Sequence, residues 1–276
     1  MGGVGTASHL NGSLGFFRIM RQVAMKSPKK PATHESDKPG DNGGRVTAVC
    51  HPLPNQKLRA GLIEKVPVTE TVYELVFELP FEMGFEPGQY ARVSVGNYHW
   101  RDYSIVDICG KRVSFLIDTR FNGHGSKFLI SLVPGEATFM RLPVGDFTIT
   151  NRKHPHCFIA TGTGISPFIP MIKSLMSQDS PPQIELLFGC RFRRDTLLLD
   201  RVKQHHAAST IGITVCVSRE TPANGMKRGR VTDVLRTRNI DGKDTDFYIC
   251  GNPSMISDAV TILIEKGARN IFREEY

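Results

Sequence analysis

The spacing of hydrophobic and polar positions changes near the middle of the chain. Between residues 57 and 150, short segments alternate apolar and polar side chains, cleanly over residues 90–95 and in part over 71–79. Turn signals such as Pro87-Gly88 and Pro134-Gly135 separate these segments. A single helix-like stretch interrupts them at residues 126–132. About six short strands and one helix predict a small antiparallel β-barrel.

After Arg152 the apolar segments become continuous and alternate with helical patterns. Strands are predicted at residues 157–160, 184–189, 213–217 and 246–250, and helices at residues 166–176, near 199–205 and at 254–266. This alternation predicts parallel strands with right-handed crossovers, an α/β doubly wound nucleotide-binding fold. A chain of 276 residues suits two modest domains. We therefore expect the barrel over residues 46–151 and the α/β domain over residues 152–276.

The first 45 residues are rich in Gly, Ser, Pro and Lys, which predicts a disordered extension. Three interpretations compete here. Met1-Gly2 followed by Thr6 fits a myristoylation pattern, and the absence of acidic residues before Glu35 resembles a transit peptide. The third is a plain tail, or translation from Met20 or Met25, and we favour it. Import into an organelle directed by residues 1–30 stays open.

Charge and cysteine usage narrow the possible partners. The net charge is +8, and the part after residue 45 is mildly basic, which suits an acidic protein partner or simply a solvated surface. No nucleic-acid partner is expected. No segment reaches the ~18 apolar residues of a membrane span, so stable membrane insertion is not expected. The six cysteines are scattered, which predicts no metal or iron–sulfur site and a reducing, cytoplasmic environment.

The segment Arg101-Asp102-Tyr103-Ser104 carries the first candidate binding chemistry. The planar guanidinium of Arg101 suits phosphate oxygens. Tyr103 lies two residues further along the predicted strand and shares its face, so its ring can stack on a planar cofactor. Ser104 points to the other face or lies at the strand end beside that ring. An ordinary strand with an exposed arginine is the competing interpretation.

A glycine-containing segment precedes the helix of the barrel. Gly123 and Gly125 permit close backbone approach, and Ser126 follows them. The N–H groups and positive dipole end of a helix N-terminus favour anions, so this segment is a candidate pyrophosphate cradle. We interpret His124 as a loop residue and not as an acid–base catalyst.

A second glycine loop follows the first strand of the α/β half. Thr161, Gly162, Thr163 and Gly164 lie between an apolar strand and a helix, and Pro167 suits the first helical turn. The sequence differs from the G-x-G-x-x-G of common dehydrogenases. It predicts a tight turn that receives a dinucleotide.

Residues after the third strand of this half bear on the choice of coenzyme. Ser218 and Arg219 offer a hydroxyl and a guanidinium for a ribose 2′-phosphate, where NAD sites usually offer a carboxylate. Further basic candidates follow at Lys227, Arg228 and Arg230. The adjacent Glu220 argues mildly against this assignment, and a plain basic surface loop would leave the specificity open.

In this order and at these separations, the motifs resemble the ferredoxin–NADP(+) reductase superfamily, from about residue 57 to residue 276. The resemblance implies FAD and NADP(H) as cofactors and places Ser104 beside flavin N5. It also implies that Cys250, before Gly251 at a strand end, approaches the nicotinamide C4. In the ferredoxin-reducing branch, Tyr276 would stack on the flavin and Glu274 would join a proton network.

The resemblance further implies a flavoenzyme that moves electrons between NADPH and a one-electron carrier, either ferredoxin or flavodoxin. The direction of flow is not set by these residues. Two other classes remain: an NAD(P)H-dependent flavin reductase or the reductase component of an oxygenase system, and a non-catalytic regulatory subunit that kept the fold. Retention of Arg101, Tyr103, Ser104 and Gly162 argues against the last.

Overall fold

The computed structural model describes residues 56–96, 98–203, 211–239 and 244–275. The predicted disordered extension, residues 1–45, lies outside this range. The described part contains two sheets. The first has seven strands in the order β4-β3-β7-β1-β2-β6-β5. These strands are β1 Leu58–Pro67, β2 Val72–Glu78, β3 Tyr90–Ser94, β4 Trp100–Ser104, β5 Asp107–Cys109, β6 Arg112–Asp118 and β7 Ala137–Val144.

This first sheet is antiparallel and curls around its own core, as the alternating pattern predicted. On β1, buried Leu58, Ala60 and Leu62 alternate with more accessible neighbours. Phe77 and Phe115 meet edge to face inside the barrel, with ring centroids 6.1 Å apart. Strand β4 is an edge of this sheet, so one of its sides is open to a ligand.

The second sheet is parallel and has the order β11-β10-β9-β8-β12-β13. Its strands are β8 His156–Thr161, β9 Ile184–Cys190, β10 Ile211–Val217, β11 Lys227–Arg228, β12 Asp246–Cys250 and β13 Asn270–Glu274. The α-helices of the described residues are α1 His124–Ser131, α2 Phe168–Met176, α3 Asp200–Lys203, α4 Val231–Thr237 and α5 Pro253–Glu265. The predicted combination of an antiparallel barrel and a doubly wound α/β sheet is confirmed.

Helix boundaries differ from the predictions where turn chemistry intervenes. Helix α1 begins at His124, two residues before the expected start. A 3₁₀ turn over Gly162–Ile165 precedes α2, which shortens the helix expected from residue 166. The helix expected near residues 199–205 is a 3₁₀ segment, Arg193–Leu199, followed by the short α3. Shifts of one or two residues are ordinary at helix ends, where a turn often tightens to 3₁₀ geometry.

The two sheets pack on one another through aromatic side chains. Phe147, just after β7, lies 6.1 Å from Phe168 and 5.7 Å from Tyr248, measured between ring centroids. An ion pair between Glu74 of β2 and Arg201 of α3 adds a polar contact across the junction. This packing places the edge strand β4 beside the glycine loop that follows β8. Within the described ranges, no helix is long and apolar enough to cross a bilayer.

Candidate functional site

A cavity of about 330 Å³ lies at the junction of the two sheets. We call it the junction cavity. It collects residues from β4, from the start of α1 and from the glycine loop after β8, three segments that the sequence singled out. Its lining consists of Arg101, Asp102, Tyr103, Ser104, Leu116, Asp118, Phe121, Gly123, His124, Gly125, Ser126, Thr163 and Ser166.

Strand β4 contributes four consecutive residues to this cavity. Arg101 and Tyr103 pair with the buried Val93 and Ala91 of β3, so both side chains extend from the inner face at the open edge. The Arg101 guanidinium is exposed and donates a hydrogen bond to the Trp100 carbonyl at 2.8 Å. Burial raises the pKa of Tyr103 to about 12, against the opposing effect of the Arg101 charge. The phenol is therefore a neutral hydrogen-bond donor at physiological pH.

Ser104 has a buried hydroxyl that the rest of the structure leaves unsatisfied. The residue is only 5% exposed, and its Oγ has no hydrogen-bond partner among the described residues. A buried polar atom without a partner costs about 1–3 kcal/mol. A bound molecule with a polar edge would satisfy this hydroxyl, so the site fits a ring that carries hydrogen-bonding nitrogen atoms at its rim.

Gly125 brings the start of α1 directly against β4. A Cβ added at this glycine would lie 2.6 Å from the Tyr103 Oη and 3.0 Å from the Arg101 Cγ. Because Gly125 has no side chain, the start of α1 can lie directly against β4. Gly123 precedes the first turn and provides no side-chain cap, and Ser126 Oγ donates to the Gly123 carbonyl at 3.1 Å. The helix N-terminus is left directed at the cavity, which suits an anionic group.

His124 has a structural contact that the sequence did not indicate. It is the first residue of α1 and not part of a loop, and its Nε2 lies 2.8 Å from the carbonyl oxygen of Val95. Its ring also meets the His99 ring edge to face, with centroids 5.3 Å apart. These contacts tie the helix start to the end of β3.

The glycine loop after β8 interlocks with the end of β12. Gly162 adopts a left-handed backbone, with φ of 56°, that favours glycine. A Cβ on Gly164 would collide with the carbonyl oxygen of Cys250. The Asn252 amide donates to Thr161 Oγ1 at 2.9 Å, which joins the two strand ends. Thr163 reaches the junction cavity from this loop.

Arg120 is a residue at this junction that the sequence interpretation missed. It follows β6, and its Nε donates to Asp118 at 2.9 Å, while its other guanidinium nitrogen lies 3.9 Å from Asp195 of the α/β half. A Cβ on Gly162 would lie 2.9 Å from the Arg120 guanidinium. The available signal was a charged D-x-R segment directly before a glycine-bounded helix. Arg120 thus connects the barrel to the glycine loop.

The predicted coenzyme-specificity residues gather at the carboxyl end of β10. Ser218 and Arg219 are exposed there, and the Ser218 hydroxyl donates to the Cys190 carbonyl at 3.1 Å. Lys227 and Arg228 form β11, whose backbone pairs with Cys216 and Val217 of β10. The hydroxyl of Ser218, the guanidinium of Arg219 and the two further cations therefore share one sheet edge.

Glu220, the acidic residue next to these basic side chains, is bound by Arg193. Glu220 accepts a hydrogen bond from the backbone amide of Arg193, and its carboxylate lies 3.4 Å from the Arg193 guanidinium. Arg193 therefore orients the Glu220 carboxylate and partly neutralises it. Glu220 is then a weaker argument against a phosphate site at this edge.

The predicted catalytic residues Cys250 and Glu274 are neighbours on adjacent strands. They pair in register at the carboxyl ends of β12 and β13. Cys250 is fully buried within the core of the α/β half, and its side chain does not line the junction cavity. Tyr276 lies outside the described residues, so its stacking role stays a prediction.

A second cavity, of about 570 Å³, lies on the other side of β4. It shares Arg101, Asp102 and Tyr103 with the junction cavity. Its remaining lining comprises Arg92, Trp100, Arg141 and Glu275. The presence of Glu275 brings the last described residue of the chain beside the β4 strand.

Comparison with known proteins agrees with this arrangement. Residues 158–261 match the family described as the oxidoreductase NAD-binding domain. The toluate 1,2-dioxygenase electron transfer component of Pseudomonas putida is 29% identical over 69% of this chain and 58% of its own length. The chain spans about half the length of the curated relatives it matches.

Solved structures share the fold of nearly the whole described part. The Amycolatopsis cytochrome P450 reductase GcoB has a TM-score of 0.71 at 21% identity, covering 80% of this chain and 69% of its own. A ferredoxin NADP+ reductase from Neisseria gonorrhoeae with bound FAD and NADP has a TM-score of 0.69 at 19% identity, covering 79% and 98%. The expected pair of nucleotide-binding halves is thereby confirmed at the level of fold.

Proposed function

We propose that this chain is an FAD-dependent electron-transfer enzyme, because residues 158–261 match the oxidoreductase NAD-binding domain and the described part shares the fold of a ferredoxin NADP+ reductase with bound FAD and NADP. It exchanges electrons between a nicotinamide coenzyme and a separate one-electron carrier protein. The observation that carries this proposal is the junction cavity, where Ser104 of the barrel and Thr163 of the glycine loop share one lining.

The chain's own groups fit a flavin dinucleotide. Bound FAD would supply an acceptor for hydride and a donor of single electrons. Arg101 and the start of α1 would hold its phosphates, since one offers a guanidinium and the other backbone N–H groups. The Tyr103 ring would support the planar ring system, and the unsatisfied Ser104 hydroxyl would hydrogen-bond to its edge.

The α/β half would orient the coenzyme. Gly164 lets the loop after β8 lie against the Cys250 carbonyl, and Gly162 faces the Arg120 guanidinium, so the loop is fixed at the carboxyl end of the sheet, where a dinucleotide would bind. Exposed Ser218 and Arg219, with Lys227 and Arg228 beside them, favour a ribose bearing a 2′-phosphate. We therefore propose NADP(H) as the coenzyme, and ferredoxin or flavodoxin as the carrier.

A second candidate is the reductase component of an oxygenase system that uses NADH. Similarity to the toluate 1,2-dioxygenase electron transfer component favours it. The two candidates differ in coenzyme and acceptor, and they share the cofactor site. A preference for NADH together with electron delivery to an oxygenase component would select the second.

Absorbance and anaerobic reduction test the shared part of the proposal. Purified protein is expected to show a flavin spectrum that bleaches on addition of NADPH. Arg101→Ala should weaken FAD binding by about 10- to 100-fold, the equivalent of a charged hydrogen bond of ~1.5–3 kcal/mol. Arg112→Ala, an exposed arginine on β6 of the same sheet, is the matched control. Full FAD occupancy of Arg101→Ala at micromolar concentration would contradict the site.

A further inference from the structure

We propose that Arg191 binds the diphosphate of the nicotinamide coenzyme and that the Phe121 ring holds the Arg191 guanidinium in place for this task. This inference rests on the proposed function, because it adds a binding residue and a positioning residue to the proposed coenzyme site. Neither residue was singled out from the sequence. The group that Arg191 would recognise, a diphosphate that links two riboses, is common to NADPH and NADH.

The backbone of Arg191 lies beside the residues proposed to bind a ribose 2′-phosphate. Arg191 directly follows β9 and stands at the carboxyl end of the parallel sheet, the edge where such sheets bind ligands. The amide of Arg219 donates to the Arg191 carbonyl at 3.0 Å, and the amide of Ser218 donates to the Cys190 carbonyl at 3.1 Å. Arg191 is therefore the neighbour, on the next strand, of the proposed 2′-phosphate site.

The side chain of Arg191 extends to the wall of the junction cavity. Its guanidinium carbon lies 5.6 Å from the centroid of the Phe121 ring, and Phe121 lines that cavity. In a nicotinamide coenzyme the diphosphate is the middle of the molecule, between the adenosine ribose and the nicotinamide ribose. A coenzyme that extends from Ser218 and Arg219 to the junction cavity would therefore pass Arg191 with its diphosphate.

Arg191 differs from the two other arginines of its loop in its lack of an acidic partner. Arg193 lies 3.4 Å from Glu220, and Arg194 lies 3.1 Å from Glu70. In the part of the chain that the structure describes, half-buried Arg191 forms no ion pair. A guanidinium presents N–H donors in a fixed planar fork, which matches the oxygens of a diphosphate.

Arg120, the other cation against the Phe121 ring, is bound by carboxylates. Its guanidinium carbon lies 5.9 Å from the ring centroid. Asp118 accepts from the Arg120 Nε at 2.9 Å, and Asp195 lies 3.9 Å from another nitrogen of the same guanidinium. These two carboxylates and the two of the preceding pairs all lie against other arginines, which leaves the Arg191 charge for a ligand.

Phe121 is suited to position a guanidinium without neutralising it. The side chain is 68% exposed although it is large and apolar. An aromatic ring attracts a cation through its quadrupole, and it leaves the N–H groups of the guanidinium available to other acceptors. Phe121 follows β6 of the barrel, whereas Arg191 follows β9 of the α/β half, so their contact also joins the two halves at the proposed coenzyme site.

Anaerobic stopped-flow reduction of the FAD-loaded protein tests this assignment, because its concentration dependence gives the Kd of the coenzyme and the limiting rate separately. Arg191→Met keeps much of the side-chain length and removes the charge. Arg194→Met removes the same charge from an exposed position of the same loop and is the matched control. The probes are NADPH, NADH and, as an inhibitor, adenosine 2′,5′-bisphosphate, which carries the 2′-phosphate but no diphosphate.

Arg191→Met should raise the Kd of NADPH and of NADH by the same factor, about 10- to 100-fold, because both coenzymes contain the diphosphate. The limiting rate of flavin reduction should stay nearly unchanged, because the diphosphate is remote from the transferred hydride. The inhibition constant of adenosine 2′,5′-bisphosphate should change much less in Arg191→Met than in Arg219→Ala. Phe121→Ala should weaken both coenzymes by a smaller factor, and Phe121→Tyr, which keeps the ring, should bind them as the unchanged protein does.

The possible failures are distinguishable. If neither coenzyme reduces the flavin of the unchanged protein, the proposed function fails. If the flavin is reduced but Arg191→Met and Arg194→Met have the same Kd values, Arg191 does not bind the diphosphate. If Arg191→Met weakens the bisphosphate as strongly as NADPH, Arg191 belongs to the 2′-phosphate site and the inference is overturned. If Arg191→Met lowers the FAD content or the unfolding free energy, Arg191→Lys, which keeps the charge, should restore both the fold and coenzyme binding, and failure to restore coenzyme binding contradicts the inference.

Discussion

Replacing Gly125 by alanine tests whether the close contact between the start of α1 and strand β4 is needed for FAD binding. An alanine methyl group here would lie 2.6 Å from Tyr103 Oη and 3.0 Å from Arg101 Cγ. Both distances are well below ordinary van der Waals separation, so Gly125→Ala must displace the two side chains proposed to hold the flavin. The helix itself is compatible with alanine, which has the highest helix propensity.

The cost of this substitution follows from overpacking. Inserting a methyl group into a well-packed contact costs about 1–3 kcal/mol. If the whole of that cost is lost from the binding free energy of FAD, because Arg101 and Tyr103 are displaced, FAD should bind roughly 5- to 140-fold more weakly. Flavin fluorescence titration gives the dissociation constant, and urea unfolding of the apoprotein gives the part of the cost that is structural.

Two variants separate the steric effect from a phosphate effect. Gly123→Ala adds a methyl group whose nearest neighbour is Ser126 Oγ at 3.8 Å, so it should cost FAD binding much less. Tyr103→Phe removes the oxygen that Gly125→Ala would meet, so the double variant should recover part of the apoprotein stability lost by Gly125→Ala. Equal FAD affinities for Gly123→Ala and Gly125→Ala would refute the contact argument.

Three further predictions concern separate parts of the chain. Arg219→Ala should weaken NADPH binding by about 10- to 100-fold and leave NADH binding nearly unchanged, by titration of both coenzymes. Ser104→Ala should not lower the unfolding free energy of the apoprotein, because its Oγ has no partner among the described residues, but it should slow stopped-flow flavin reduction by up to about tenfold. Burial lowers the pKa of His156, against the opposing charge of Asp246, so unfolding free energy should fall as pH drops below ~6.5, where the unfolded imidazole protonates first. His156→Phe should reduce this fall in unfolding free energy, measured by urea unfolding between pH 7.5 and pH 5. If the variant's unfolding free energy depends on pH as steeply as that of the unchanged protein, His156 is not the cause.

The elements that the sequence predicted well are those with a clear pattern of apolar residues. Strands over residues 184–189 and 246–250 were expected and occur as β9 and β12, because continuous apolar runs are buried on both faces of a parallel sheet. Helix α4 was not expected, since Val231–Thr237 is short and has few apolar positions. Short helices are defined by packing and capping more than by spacing.

The candidate site was predictable as a set of motifs but not as a set of contacts. Gly125 was expected to make room for a phosphate, yet in the structure its missing side chain makes room for Tyr103 and Arg101. Arg120 was not singled out, because its partner Asp195 lies 75 residues away in sequence and its significance depends on the packing of two sheets. Pairings of this range follow only from the tertiary structure.

Cys250 illustrates how backbone contacts constrain a proposed catalytic position. Its carbonyl oxygen occupies the space where Gly164 would need a Cβ, and the next residue, Gly251, lies against Thr161 with φ of 140°. The glycine loop and the end of β12 therefore move together. A substitution at Gly164 must shift the coenzyme loop and the Cys250 backbone at once. Replacing the Cys250 thiol by a hydroxyl leaves both backbones in place, so Cys250→Ser, compared with Gly164→Ala, separates a chemical role of the thiol from its role in holding the loop.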